Sequence, residues 1–147
     1  MIHYNNELTG CVAIYSVLRS CKKISVAKAM LIAPICFQDN LIKYITRYTM
    51  LSINDLITRR PEYFFNFNDR FISFFSLSIN AIMILKEMGL VEIDRENRLS
   101  LISGVKENLF TQELGMRMKN IISAGEKVSL LLDESEANLY IQLRVRL

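Results

Sequence analysis

An uncharged stretch of fifteen residues, 71–85, constrains the fold of this chain more than any other feature. The polar residues in and around it recur at helical spacing, so they form a single line along one long helix. These residues are Asp69, Ser73, Ser76, Asn80 and Glu87. The remaining surface of that helix is apolar, and we therefore expect it to be buried.

A β-hairpin is predicted directly after this helix. Gly89 is placed to adopt the left-handed conformation that ends many helices. Apolar and polar residues then alternate over 90–94 and over 98–102, with a polar turn at 95–97 between the two runs. A winged-helix unit ends in this order of helix and hairpin, so we predict a winged-helix-like unit. A core helix followed by an ordinary hairpin remains the alternative.

Helical signals dominate the rest of the chain, so the predicted fold class is mainly α. Several polar residues precede apolar helical patterns and are good N-caps. They are Asn6, Ser25, Asp39 or Asn40, and Ser52. Pro34 is expected to stop or kink the second helix, because proline removes a backbone donor and clashes with the preceding turn.

One domain is expected over 1–147. A chain of 147 residues can bury about two-thirds of its unfolded surface, so it needs no disulfide or structural metal. No linker, repeat or low-complexity stretch divides it. Within the domain we distinguish a helical N-terminal part at 1–60, the winged-helix-like unit at 61–104, and a C-terminal helix and tail at 105–147.

The sequence predicts a cytoplasmic protein. No uncharged apolar run reaches the roughly 18 residues that a membrane span requires, and the N-terminus lacks the basic and apolar regions of a secretory signal. The cysteines Cys11, Cys21 and Cys36 lie in apolar helical patterns without CxxC spacing. We therefore expect buried, reduced thiols.

Catalytic and cofactor motifs are missing from the sequence. His3 is the only histidine, which excludes Ser-His-Asp and Cys-His sets and an HExxH zinc site. The five glycines form neither of the common phosphate-binding loops, GxxxxGK[ST] and GxGxxG. Acidic groups such as Asp133 with Glu134 are typical of solvated helix ends. We therefore expect no enzymatic activity, no cofactor and no metal site.

Positive charge is concentrated in the N-terminal part. Residues 1–60 carry eight Lys or Arg and three Asp or Glu, a net +5, whereas 61–104 carries a net −2. A DNA-binding winged helix concentrates cations on its long helix and hairpin, where this chain has few. A winged-helix transcriptional regulator is therefore the alternative function. Its candidate DNA contacts are Arg19, Lys22, Lys23, Arg59 and Arg60, although solvated helix ends explain the same residues.

A partner protein is indicated by the apolar content, because 51% of the residues are hydrophobic and a small domain rarely hides so much apolar surface. The candidate interface is the C-terminal tail, where aliphatic residues alternate with polar ones as in a strand. They are Leu139, Ile141, Leu143, Val145 and Leu147. Ser135 with Glu136 instead resembles a helix start, and we favour a short helix followed by an extended tail.

A regular apolar seam precedes the tail. It consists of Leu114, Met118, Ile121, Gly125, Val128 and Leu132, which recur at spacings of three and four. Such a seam lets another helix pack closely at Gly125. We favour packing on the core of the same domain over an intermolecular coiled coil.

Four segments of the chain resemble the middle component of bacterial three-component ABC-ATPase systems. They are YNNELTGCVAIYSVL, KAMLIAPICFQDNLIKYI, NDRFISFFSLSINAIMILKEMGLVEI, and GEKVSLLL with LYIQLRVRL. Asn5 matches the family's first asparagine, Pro34 the proline of its second helix, and Arg70 the arginine that opens its long helix. Asn6 stands where the family usually has a proline, and the C-terminus lacks the proline that often closes the family.

This resemblance implies a non-catalytic subunit, so no catalytic residues are carried over. It also implies two partners, an ABC ATPase related to the SMC and Rad50 proteins and an effector subunit that is often a nuclease. Systems of this type, including the Lamassu group, act in defence against phage and plasmids. We therefore expect an assembly subunit that meets DNA only through its complex and has no membrane partner.

Overall fold

The computed structural model describes residues 6–49, 52–102 and 115–146. Most of the described residues are in helices. Their bounds are α1 (Glu7–Cys21), α2 (Val26–Ala29), α3 (Ile32–Cys36), α4 (Asp39–Arg47), α5 (Ile53–Arg59), a 3-10 turn (Pro61–Phe64), α6 (Phe67–Ser73), α7 (Phe75–Glu87), α8 (Met116–Leu131) and α9 (Glu136–Gln142). A small antiparallel sheet contains β1 (Lys23–Ser25), β2 (Val91–Ile93) and β3 (Arg98–Leu101). The predicted mainly α fold with a helix-plus-hairpin unit is confirmed.

The predicted helix starts agree closely with the structure. Asn6, Ser25 and Ser52 each cap a helix, and the side-chain oxygen of each accepts from a backbone N–H three residues later at 3.0–3.1 Å. The cap of α4 differs from the prediction. Gln38 supplies it, with Oε1 accepting from Leu41 N at 3.0 Å, so Asp39 is the first helical residue.

Pro34 lies inside α3 rather than at the end of a helix. It occupies the first turn of this short helix, where a backbone N–H would have no helical partner. The chain instead bends at Met30 and Leu31, which separate α2 from α3. The predicted interruption therefore lies several residues before the proline, where the proline ring would have clashed with a continuous helix.

The long apolar helix is in fact two helices, α6 and α7, which meet at Phe74. The backbone of Phe74 departs from helical geometry, with φ −97° and ψ 7°, and its ring packs edge-on against Phe37 with centroids 5.0 Å apart. The prediction that the apolar surface of this segment is buried is also wrong. Only one face of α7 is buried, through Ser78, Ala81, Ile82 and Leu85, because this face alone packs on the body of the protein.

The hairpin follows α7 as predicted. Gly89 adopts φ +74°, and its N–H donates to Lys86 O at 3.0 Å, as a left-handed helix cap requires. Strands β2 and β3 then pair in antiparallel register, with Val91 opposite Leu101. Asn97, at φ +58°, closes the polar turn between them.

A third strand, β1, joins this hairpin and was not predicted. It pairs with β3, so that the strand order is β1-β3-β2 and Lys23 lies opposite Ser100. Only Ile24 of its three residues is buried, and a segment of that length carries no alternating pattern. The sheet therefore ties the end of α1 to the hairpin.

The core forms where α1 packs between α7 and α8. A Cβ atom at Gly125 would lie 2.6 Å from the backbone oxygen of Ser16, so the two helices can approach this closely only with glycine at that position. The predicted packing of the seam on its own domain is confirmed for Ile121, Gly125, Val128 and Leu132, which are buried. Leu114 lies outside the described residues.

Candidate functional site

The C-terminal tail begins as a helix. Ser135 Oγ accepts from Asn138 N at 3.2 Å and caps α9, which ends at Gln142. Arg144 then adopts φ +57°, and the chain leaves the helix. The short helix of the favoured interpretation is confirmed, and the strand alternative is wrong for 136–142. The extended tail that was expected after it stays a prediction.

The four described aliphatic residues of the tail do not share one edge. Leu139 and Leu143 are buried in the core, Val145 is half-buried against it, and Ile141 is 73% exposed. Leu147 lies outside the described residues. The expectation of a single apolar strip is wrong because residues two apart on a helix point to different faces. Among the described members, Ile141 alone offers a large free apolar surface, and its contact with a partner stays a prediction.

Ile141 borders a groove of about 520 Å³ between α9, α5 and the start of α6. On the groove's other side, Phe65 is 78% exposed. The apolar residues that line it are Ile57, Pro61, Phe64, Phe65, Ile141 and Leu143. We call it the tail groove. Its volume lies within the range of pockets that bind small molecules or side chains.

A second exposed apolar surface runs along α6 and α7. Its members are Ile72, Phe75, Ile79 and Met83, each between 41% and 57% exposed. Phe75, Ile79 and Met83 are four residues apart and therefore lie on one side of α7, and Ile72 lies at the end of α6, two residues before the break at Phe74. We call this surface the apolar stripe. No charged residue occurs between Arg70 and Lys86, so the stripe is uncharged along its length.

Sequence reasoning missed the apolar stripe because it assigned all apolar residues of the segment to the core. A usable signal was present in the polar line itself. Ser76 and Asn80 are exposed, and on a helix the residues three positions later, Ile79 and Met83, lie beside them. The line of polar residues therefore marked only the middle of the exposed helical face, which also includes the apolar residues beside it.

Three of the predicted DNA-contact residues lie together. Arg19, Lys22 and Lys23 are exposed at the turn from α1 into β1. The oxygen of Lys22 accepts from Leu101 N at 3.2 Å, which holds this turn against the hairpin. The structure thus places three cations beside the sheet, an arrangement that depends on the unpredicted strand β1.

The other two predicted DNA-contact residues lie at the end of α5 and are engaged locally. Arg59 pairs with Asp55 at 3.1 Å. Arg60 pairs with Glu62 at 2.7 Å, and its guanidinium lies over the rings of Tyr44 and Tyr63. These contacts occupy the guanidinium groups within the chain.

Charge at the hairpin tip is balanced internally. Arg98 pairs with Asp94 and with Glu96, each at 2.9 Å. Desolvation raises the pKa of Asp94, but backbone N–H donors from Arg98 and Glu96 and the Arg98 guanidinium lower it below its ordinary value. Residues 94–98 carry two charges of each sign, so the tip presents no net charge.

The cysteines are free thiols, and Cys11 and Cys36 are buried as predicted, whereas Cys21 is half-buried. Burial raises the pKa of Cys11 to about 11 and that of Cys36 to about 12. Burial also raises the pKa of Cys21. Ordinary nucleophilic chemistry at neutral pH requires the thiolate form, which these environments disfavour.

Metal-ligand sets are absent from the described part of the chain. Within 6–49, 52–102 and 115–146, no group of three or more His, Cys, Asp or Glu side chains could hold a metal ion. Over the same residues, no helix has the length and apolar character to cross a membrane. His3 lies outside the described residues.

Two positions singled out by the family resemblance touch each other. The guanidinium of Arg70 donates to the carbonyl oxygen of Pro34 from Nε at 3.3 Å and from Nη2 at 3.1 Å, and to Tyr63 O from Nη1 at 3.2 Å. It also lies 5.3 Å from the ring centroid of Phe67. Burial lowers the pKa of Arg70. The arginine therefore joins α6 to α3 and to the 3-10 turn.

Comparison with known protein families gives a match over most of the chain. The family described as MC3, ABC-three component (ABC-3C) system Middle Component 3, matches residues 8–147. No curated protein and no solved structure matches the chain. The family match spans nearly the whole sequence and includes Pro34, Arg70 and the apolar stripe. The chain therefore belongs to the Middle Component 3 family of ABC-three component systems.

Proposed function

We propose that this middle component is a non-catalytic assembly subunit, which bridges an SMC/Rad50-like ABC ATPase and an effector subunit that is often a nuclease. Membership of a three-component family supports the requirement for partner subunits. The complex works in the cytoplasm in antiphage or antiplasmid defence, as in Lamassu-type systems. The subunit itself uses no cofactor and meets DNA only through the complex.

The apolar stripe is the observation that carries this proposal. Phe75, Ile79 and Met83 form an uncharged exposed face at helical spacing on α7, and Ile72 adds an exposed apolar side chain at the end of α6. Isolated exposed apolar residues are common, but an aligned set on one helical side is typical of a surface that another protein covers. An apolar face of this kind packs on a second helix or in a groove.

Energetics favour a stripe of large side chains as an interface centre. Binding energy in protein complexes is concentrated in a few buried apolar anchors, each of which contributes about 1–3 kcal/mol when fully buried. Phe75 and Ile79, adjacent on the first turns of α7, are suited to this role. A carboxylate placed in the middle of such a contact would lose its hydration without gaining a partner.

The test is co-purification with the ABC ATPase of the same three-component system. Ile79→Asp combined with Met83→Asp is expected to abolish co-purification and to change the melting temperature by no more than about 2–4 °C, since exposed substitutions alter stability little. Leu130→Asp is the control, because Leu130 is a large apolar residue that is 63% exposed on α8, outside the stripe, and it also becomes an aspartate. Retained binding by the stripe variant would reject the stripe as the ATPase interface.

A winged-helix DNA-binding regulator is the second candidate function. The observation in its favour is the position of Arg19, Lys22 and Lys23 beside the sheet. The neutral hairpin tip at 94–98 and the uncharged face of α7 argue against it, because a DNA-reading unit presents cations from these elements. Tight, sequence-selective binding at physiological salt by the purified chain would support the regulator.

A further inference from the structure

The tail groove is open and apolar at both rims. Phe65 is 78% exposed on one side and Ile141 is 73% exposed on the other, while Phe64 and Leu143 lie deeper between them. The groove beside these two exposed apolar side chains has a volume of about 520 Å³, which is large enough to admit a side chain together with its neighbours in a bound segment. An aromatic or aliphatic residue fits this space by size and by polarity.

Arg144 supplies the charge of this groove. Among the described residues that line the cavity it alone is charged, and the others are apolar or carry amides. In the described part of the chain no carboxylate pairs with Arg144. The nearest acid in sequence to the opposite rim, Glu62, is already paired with Arg60 at 2.7 Å. The groove is therefore cationic and apolar.

The backbone of Arg144 adds a second observation. Its φ is +57°, a left-handed conformation in which glycine is strongly favoured and other residues are strained. Its N–H donates to Ile141 O at 3.1 Å, and the following N–H of Val145 donates to Tyr140 O at 3.0 Å, as at a helix end where glycine is common. A long cationic side chain stands at this position despite the cost to the backbone.

The groove wall is held rigidly. Asn68 of α6 accepts from Arg146 N at 2.8 Å through its side-chain oxygen, which fixes the tail to the opposite side of the cavity. Leu139 and Leu143 anchor the same segment in the core. Rims that are fixed before a ligand arrives lower the entropic cost of binding.

We propose that the tail groove binds a segment of a partner chain that carries one large apolar side chain next to a carboxylate. The apolar side chain enters between Phe65 and Ile141, and the carboxylate pairs with the guanidinium of Arg144. A segment with Lys or Arg at that position meets a like charge and is rejected. The inference rests on the proposed function only in that a partner subunit supplies the segment.

The experiment is selection of a random peptide library displayed on phage against the immobilised full chain. Enriched peptides are expected to place Asp or Glu within a few residues of Phe, Leu, Ile or Met. A synthetic copy of the most enriched peptide is then titrated with the chain by fluorescence anisotropy. Arg144→Gly should weaken this binding about tenfold, the loss expected for one charge-assisted hydrogen bond.

Arg144→Gly removes the positive charge and is expected to leave the fold unchanged. Glycine suits φ +57°, so this variant should melt at the same temperature as the natural chain or higher. Ile141→Asp should abolish peptide binding through the apolar rim, and Leu130→Asp, outside the groove, should leave it unchanged. A second selection against Arg144→Glu should lose the acidic preference and enrich Lys or Arg.

Three results would overturn the proposal: no enrichment from the library, enriched peptides without a carboxylate, or binding unaffected by both Arg144→Gly and Ile141→Asp. None of these measurements contains the ATPase or the effector. Failure of peptide selection therefore leaves the co-purification result untouched, and loss of co-purification through the apolar stripe leaves the groove result untouched.

Discussion

The guanidinium of Arg70 binds the carbonyl oxygen of Pro34, a residue 36 positions earlier in the chain. Helix α3 ends at Cys36, so this carbonyl has no N–H donor four residues later in the same helix. Arg70 supplies the missing donors and at the same time fixes the start of the segment that bears the apolar stripe. The contact between the two residues therefore holds in place the segment that carries the proposed interface.

Arg70→Ala should destabilise the protein by about 2–3 kcal/mol, because it leaves the Pro34 and Tyr63 carbonyls without their charged donor. Urea unfolding followed by circular dichroism measures this change. Arg70→Lys should recover part of the loss, since lysine keeps the charge but not the forked geometry. Arg59→Ala, at an exposed ion pair, is the control and should cost less than about 1 kcal/mol. Equal effects at both arginines would contradict this role.

Gly125→Ala should destabilise the protein by about 1–3 kcal/mol even though alanine favours helices. The new Cβ would lie 2.6 Å from Ser16 O, a backbone atom that moves only with α1. Gly115→Ala is the control, because no described residue lies within 4 Å of a Cβ at that position. Gly115 is the N-cap of α8, so any cost there comes from alanine at a cap position and not from a clash. Thermal melts of both variants decide the matter. A stability gain in Gly125→Ala would show that α1 and α8 are not packed this closely.

Alkylation should report the environments of the three thiols. At pH 8, iodoacetamide should modify Cys21 slowly and leave Cys11 and Cys36 unmodified, whereas all three react in urea.

The raised pKa values of about 11 and 12 for Cys11 and Cys36 have a consequence for the pH dependence of stability. The unfolded chain loses these thiol protons near pH 9 and the folded chain does not, so stability should fall as pH rises above 9. Cys36→Ala should reduce that fall, and rapid native labelling of Cys36 would contradict its burial.

DNA binding by the chain alone should be weak and steeply dependent on salt. We expect dissociation constants of about 10⁻⁴ to 10⁻⁶ M, the non-specific range. Replacing Arg19, Lys22 and Lys23 with Gln should reduce the salt dependence by about one unit of slope for each phosphate that the protein no longer neutralises. Arg59→Gln with Arg60→Gln should change it less, because these side chains are paired within the chain. Fluorescence anisotropy over a salt series measures both slopes.

Local signals predicted much of the fold. The caps Asn6, Ser25 and Ser52 and the turn at Gly89 depend on residues within three or four positions, so their chemistry can be read from the sequence. The close approach at Gly125 was also predicted, because a glycine in an apolar seam permits it. The helix that packs against Gly125, α1, could not be identified from the residue spacing.

Features that depend on distant contacts were not predictable. Strand β1 forms because β3 offers it an edge, and its own three residues carry no strand pattern. The break at Phe74 coincides with packing on Phe37, which lies in the turn after α3. Because α9 is helical, Leu139 and Leu143 are buried and Ile141 is not, so the predicted apolar strip does not form. The tail groove likewise arises from three separate parts of the chain.

The bridging role is tested most directly by mixing purified ATPase, effector and this chain and weighing the complexes by mass photometry. We expect the ATPase and the effector to occur in one complex only when this chain is present. That complex should be lost with the double variant Ile79→Asp and Met83→Asp and kept with Leu130→Asp. Association of the ATPase with the effector to the same extent without this chain would contradict the bridging role.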